Sequence, residues 1–271
     1  MPLEAPVTST VRPVSEWLRE LTSSPRESID LGWRRLRTKR NVGLLPDPAA
    51  STRLLPLHGA GRCGYQRTVS DSPTALVLSC TLKRSPDESS SVLIGQEFLD
   101  ALGTHGVTGE LVRVVDHDVR FGVTTDEGDG DEWPTIREKV LAADILVIAT
   151  PIWMGQPSSV CKMVMERLDA ELSETDDEGR MSTYNKVAAV AVVGNEDGAH
   201  HTTAEVLQGL NDVGFSVAAN GSTYWVGEAM QGTDYQDLEQ KPEKTTSTTT
   251  TAAANTAHLA RLLRSQGYPP A

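Results

Sequence analysis

From Thr74 onward, short apolar runs alternate with segments of helical spacing, and that alternation limits the folds open to the chain. Ala75–Ser79, Glu110–Val115, Ile145–Ala149, Val187–Val193 and Phe215–Ala218 read as strands, most of them apolar throughout. Between them, 89–102, 133–143, 158–171 and 200–213 repeat apolar residues at three- and four-residue intervals, and 252–265 closes the chain the same way. Strands without polar alternation are buried on both faces, which argues for an α/β fold with a five-stranded, parallel, doubly wound sheet. Right-handed crossovers then place helices on both faces. In such sheets ligands bind beyond the carboxyl ends of the strands. Three unusual loops fall on that edge, at 79–91, 150–157 and 194–200.

The first loop follows a strand and opens a helix. It carries Ser79, Thr81, Lys83, Ser85, Ser89, Ser90 and Ser91. Hydroxyls, loop amides and the first amides of a helix are the donors a phosphate needs, and a cation strengthens them. It is neither a GxxxxGK[ST] P-loop nor a GxGxxG fingerprint. A serine-rich helix cap with Lys83 and Arg84 solvated is the competing reading.

The second loop holds Pro151, Ile152, Trp153, Met154, Gly155, Gln156 and Pro157. Prolines stiffen it and Gly155 permits close backbone approach. Its bulky apolar residues can wall a flat aromatic ligand, or pack on the core or on a second subunit. The third loop, Gly194, Asn195, Glu196, Asp197 and Gly198, frees the backbone beside an amide side chain able to both donate and accept. Adjacent His200 and His201 do not face one way on a helix, and no third ligand is suitably spaced, so they read as cap or surface residues and not as a metal site. Tyr224, Trp225, Asp234 and Tyr235 fit a substrate mouth or a subunit contact. The threonine run 245–251 reads as a linker and helix cap.

Residues 1–70 differ. Proline, serine and arginine dominate, and apolar periodicity is weak beyond one short helix near 14–21. They read as a mostly irregular extension, disordered or loosely docked, with 71–271 as the working domain. Charge divides at the same place. The net charge of −12 combines 11 Lys and Arg against 6 Asp and Glu through residue 70 with 14 against 31 after it. So acidic a domain repels nucleic acid and anionic membrane. The basic stretch 32–40 reads as a solvated arm. No apolar run approaches the ~18–20 residues of a membrane span, and the first residues lack a secretory pattern. Cys63, Cys80 and Cys161 are too scattered for a disulfide framework or an iron–sulfur cluster, which points to a cytoplasmic setting.

In this order, the three loops resemble those of the NADPH-dependent FMN reductase and flavodoxin-like superfamily, over about residues 72–230. The first is similar to its ribityl-phosphate loop, with Lys83 where arginine is usual. The second is similar to its Pro-x-Tyr-x-Gly segment beside the isoalloxazine, with Trp153 in the tyrosine's place. The third stands where the family's glycine-rich loop meets the pyrimidine edge. The resemblance implies a flavodoxin-like fold and a non-covalent FMN. It also implies reduction by NADPH or NADH, with hydride passing through flavin N5 to a small acceptor such as a quinone or free flavin, and often a homodimer or homotetramer. Two alternatives stay open: a flavodoxin-type one-electron carrier, and a flavodoxin-like domain without redox activity.

Overall fold

The computed structural model of the protein describes residues 72–229 and 231–270. The extension expected at 1–70, its basic stretch and Cys63 lie outside the described residues. The elements run β1 (Thr74–Ser79), α1 (Ser90–Gly103), β2 (Thr108–Arg113), α2 (Trp133–Ala142), β3 (Ile145–Trp153), β4 (Gln156–Pro157), α3 (Ser159–Leu168), β5 (Val187–Gly194), α4 (Ala199–Asp212), β6 (Ser216–Val226) and α5 (Glu243–Ser265).

Five strands form a parallel sheet in the order β2-β1-β3-β5-β6. This is the flavodoxin-like winding, and its crevice lies where the connections after β1 and β3 depart in opposite directions. Side chains alternate across the pleat, so each strand feeds two cores. Leu76, Leu78, Ile148, Val190 and Val192 meet Trp133, Ile136, Val164, Val206 and Leu210 of α2, α3 and α4. Ala75, Val77, Val147, Ala189 and Ala191 meet Ile94, Phe98, Leu102, Ala253 and Ala257 of α1 and α5. No described helix is long and apolar enough to cross a membrane.

Three expectations are corrected. The sheet has a sixth strand, because Thr150–Pro157 is not a plain loop. β3 continues to Trp153, turns through Met154 and Gly155, and pairs antiparallel with β4. Both turn residues have positive φ, 54° and 74°, as a two-residue hairpin turn requires. The last strand does not stop at Ala218. Asn220 takes φ 53°, the register against β5 shifts, and pairing resumes to Val226. Asn220 and Gly221 thus mark a bulge inside a strand. The threonine run is helix, not linker. Thr249, Thr250 and Thr251 each donate to the carbonyl four residues back, and Thr223 of β6 shares a hydrogen bond with Thr249. Packing against β6 overrides the weak helix preference of threonine.

Candidate functional site

A cleft of about 480 Å³ opens where β1, β3, β5 and β6 end. All three loops reach it. Thr81, Lys83, Ser89, Ser90 and Ser91 line one part, Pro151, Ile152 and Trp153 another, and Gly194, Asn195 and Glu196 a third.

The first loop is shaped by bonds to the end of β2. Arg113 donates to the carbonyls of Asp87 (2.9 Å) and Lys83 (3.3 Å). Ser85 is drawn out of the cleft, since its amide and hydroxyl both donate to Asp116. Partial burial pushes the Asp116 carboxyl up, but the two Ser85 donors and nearby Arg113 and Arg84 outweigh it and hold it below the usual range. Ser79 is buried in β1, its hydroxyl unpartnered, and does not line the cleft. The polar residues of this loop that face the cavity are Thr81, Lys83 and the three serines at the start of α1, where the first helical amides lack intrahelical partners.

The second and third loops form one unit. Glu196 accepts from the Met154 amide (2.9 Å) with one oxygen and from the Gly155 amide (3.2 Å) with the other. Gly198, at φ 111°, lies so close that an added Cβ would sit 2.7 Å from Gly155 Cα. Gly194 rests on Ile152 in the same way, at 2.9 Å from its Cβ. Met154, 90% exposed, Gly155, Asp197 and Gly198 do not line the cleft. Trp153 does, with 54% of its surface open. Ser158 ties α3 to β1 beneath this hairpin, donating to Cys80 O (2.6 Å) and capping the Cys161 amide.

A fourth wall comes from the end of β6 and the segment after it. Trp225, Gln231, Asp234 and Tyr235 line the cleft. The sequence marked the aromatics and Asp234 by their unusual clustering; Gln231, Leu82 and Val193 carried no such signal. Asp234 accepts from Asn195 Nδ2 (2.8 Å), while Asn195 Oδ1 is buried against Gly227 without a partner. The Asn195 side chain is therefore a strut between loop and strap. At the strap's other end, the Gln236 amide donates to Ser90 Oγ (3.2 Å) and the Tyr235 hydroxyl to Glu97 (2.5 Å). Burial, with Glu97 adding to it, raises the Tyr235 phenol far above its ordinary value. The strap thus spans from the third loop to the start of α1. His200 stacks edge-on against Tyr224 and His201 contacts Gln156, both outside the cleft lining.

A family model described as NADPH-dependent FMN reductase matches residues 73–231. An 8-demethyl-8-aminoriboflavin-5'-phosphate synthase of Streptomyces davaonensis is 37% identical over 206 residues, 72% of this chain and 79% of its own length. A Mycobacterium bovis chain named divalent metal cation transporter MntH is also 37% identical, over 202 residues, but the match covers only 30% of it. A crystal structure of RosB with a bound intermediate, 8-demethyl-8-formylriboflavin-5'-phosphate, superposes with TM-score 0.66 at 36% identity, over 73% of this chain and 82% of that one. The apo NADH:FMN oxidoreductase EmoB, at 16% identity and TM-score 0.51 over 70% of this chain and 89% of its own, shares the fold.

Proposed function

The chain belongs to the NADPH-dependent FMN reductase family, and from that membership we propose that its cleft binds riboflavin 5'-phosphate non-covalently and that the protein is an NAD(P)H-dependent oxidoreductase. The observation that carries this reading is the pairing, in one cavity, of a hydroxyl-and-lysine end at a helix N-terminus with an indole-walled end. Lys83, Thr81 and the serines 89–91 offer the donors and the charge that a phosphate dianion requires. Pro151, Ile152 and Trp153 offer a flat apolar wall for a ring system. The cleft residues therefore fit an FMN molecule, although Ser79, Ser85, Met154, Gly155, Asp197 and Gly198 have no place on its lining.

When bound, the flavin supplies the hydride-accepting and hydride-donating chemistry, with NADPH or NADH as donor and a quinone or free flavin as acceptor. The chain's own residues hold and orient it. Trp153 backs the ring, and the strap with Trp225 and Tyr235 shields the cleft from water. The backbone of Gly194, Asn195 and Glu196, on the cleft lining, would meet the ring edge where negative charge gathers. A cytoplasmic homodimer or homotetramer belongs to the same reading.

A second reading rests on the 37% identity to a synthase whose name makes a riboflavin 5'-phosphate derivative its product. There the flavin is the substrate. One experiment separates the two: purified protein in air is given FMN, with NADPH in one sample and an amino-group donor such as an amino acid in another; NADPH oxidation is followed, and the flavin is then released from both and weighed by mass spectrometry. Turnover with FMN of unchanged mass supports the oxidoreductase, and a changed flavin mass supports the synthase. FMN bound without NAD(P)H turnover leaves the one-electron carrier. Failure to take up FMN sinks all three.

A further inference from the structure

We infer that Glu196 is a positioning residue that latches the β3–β4 hairpin and thereby sets Trp153 against the ligand. The inference rests on the reading that a flavin ring occupies the cleft beside Trp153. Geometry carries it. The hairpin turn has little packing around it: Met154 is 90% exposed and holds φ 54°, an uncommon conformation for a bulky residue. Its two turn amides both donate to the Glu196 carboxylate, one to each oxygen. Trp153 is the residue directly before that turn and pairs across the hairpin with Gln156. Its indole is half exposed and cannot be held by core packing alone. Glu196 sits on the loop leaving β5, so a single carboxylate joins the ends of two adjacent strands.

The arrangement also accounts for an acidic residue in a place meant for an electron-rich ligand. Both carboxylate oxygens face backbone N–H groups, so the charge is engaged by the hairpin. Hydrogen bonds to an ionised acceptor are the strong ones, and two at once give direction as well as strength. Glutamine offers one carbonyl oxygen and an NH₂ that cannot accept, so it cannot give each of the two amides an oxygen of its own.

The test has two arms. In the first, amide hydrogen exchange is measured on flavin-free protein. Glu196→Ala should speed exchange at Met154 and Gly155 by about tenfold or more, with β5 amides unchanged and Glu196→Gln intermediate. In the second, FMN affinity is measured by fluorescence titration in a double-mutant cycle with Trp153→Ala. Glu196→Ala should weaken FMN by about tenfold in the parent, and by less than about twofold where Trp153 is already alanine. Unchanged exchange at the turn, or equal losses in both backgrounds, overturns the inference. If the parent protein takes up no FMN, the proposed function falls, and the exchange arm still decides whether Glu196 latches the hairpin.

Discussion

Gly198 is held by two independent demands. Its φ of 111° is open to few residues with a side chain, and its Cα faces the backbone of Gly155 with no room for a methyl group. Gly198→Ala should therefore cost about 1–3 kcal/mol of stability and loosen the second and third loops together. Urea midpoints and an FMN titration on the same samples would measure both; an unchanged midpoint would mean the loops part without strain. Lys83 poses the opposite case. It is exposed and its amide bonds Thr81, but its side chain is the cation on the cleft lining. Lys83→Ala should weaken FMN several-fold, with the loss shrinking as salt rises. Equal affinity in the variant would leave the phosphate to hydroxyls and helix amides alone. Both residues stand out in the sequence by type, and Lys83 lines the cleft as expected. Gly198 serves the neighbouring loop, and Asn195, expected at the ring edge, braces the strap.

The connection between β2 and α2 holds the acidic, glycine-bearing run 126–132. In the structure it wraps a buried ion pair. Asp131 accepts from the amides of Arg120, Glu127 and Trp133 and meets Arg167 at 2.8 Å, both side chains fully buried. Arg167 also donates to Arg120 O and lies 5.7 Å from the Trp133 ring. Burial pushes the Asp131 carboxyl up, but the backbone donors and Arg167 hold it below its ordinary value. A carboxyl depressed in the folded state stabilises the fold above its unfolded value, about pH 3.9. That stabilisation is lost as the pH falls from there through the lower folded value. Asp131→Asn should flatten the fall in unfolding midpoint between pH 5 and pH 2 relative to the parent; parallel curves would refute the assignment. Arg167→Ala should be worse at neutral pH, by about 3–5 kcal/mol, because it leaves a buried carboxylate unpaired.

Across the whole molecule, the cleft sits where both cores end, so a ligand there touches the ends of four sheet strands at once. Binding to the native state alone stabilises it by mass action, about 2.7 kcal/mol at a hundred times Kd. Thermal unfolding with and without excess FMN should show a clear rise in midpoint with the flavin, and none with riboflavin at equal concentration if the phosphate end contributes most of the affinity.

Apolar runs such as Val187–Val193 and the three- and four-residue spacing around Val206 and Leu210 were enough to establish the layered α/β architecture and the succession of strands and helices along the chain, though not the order of strands in the sheet. These signals are local, since burial on two faces or on one stripe leaves its mark along the chain. The same holds for the three cleft loops, whose prolines, glycines and hydroxyls punctuate the pattern. Tertiary contacts decided the rest. Asp116 took Ser85 out of the cleft, Glu196 turned a loop into a braced hairpin, and β6 with α5 absorbed a stretch that reads as linker. Each of those outcomes depends on hydrogen bonds between residues 25 or more positions apart. No spacing along the chain encodes such partners; only the folded sheet brings them within reach.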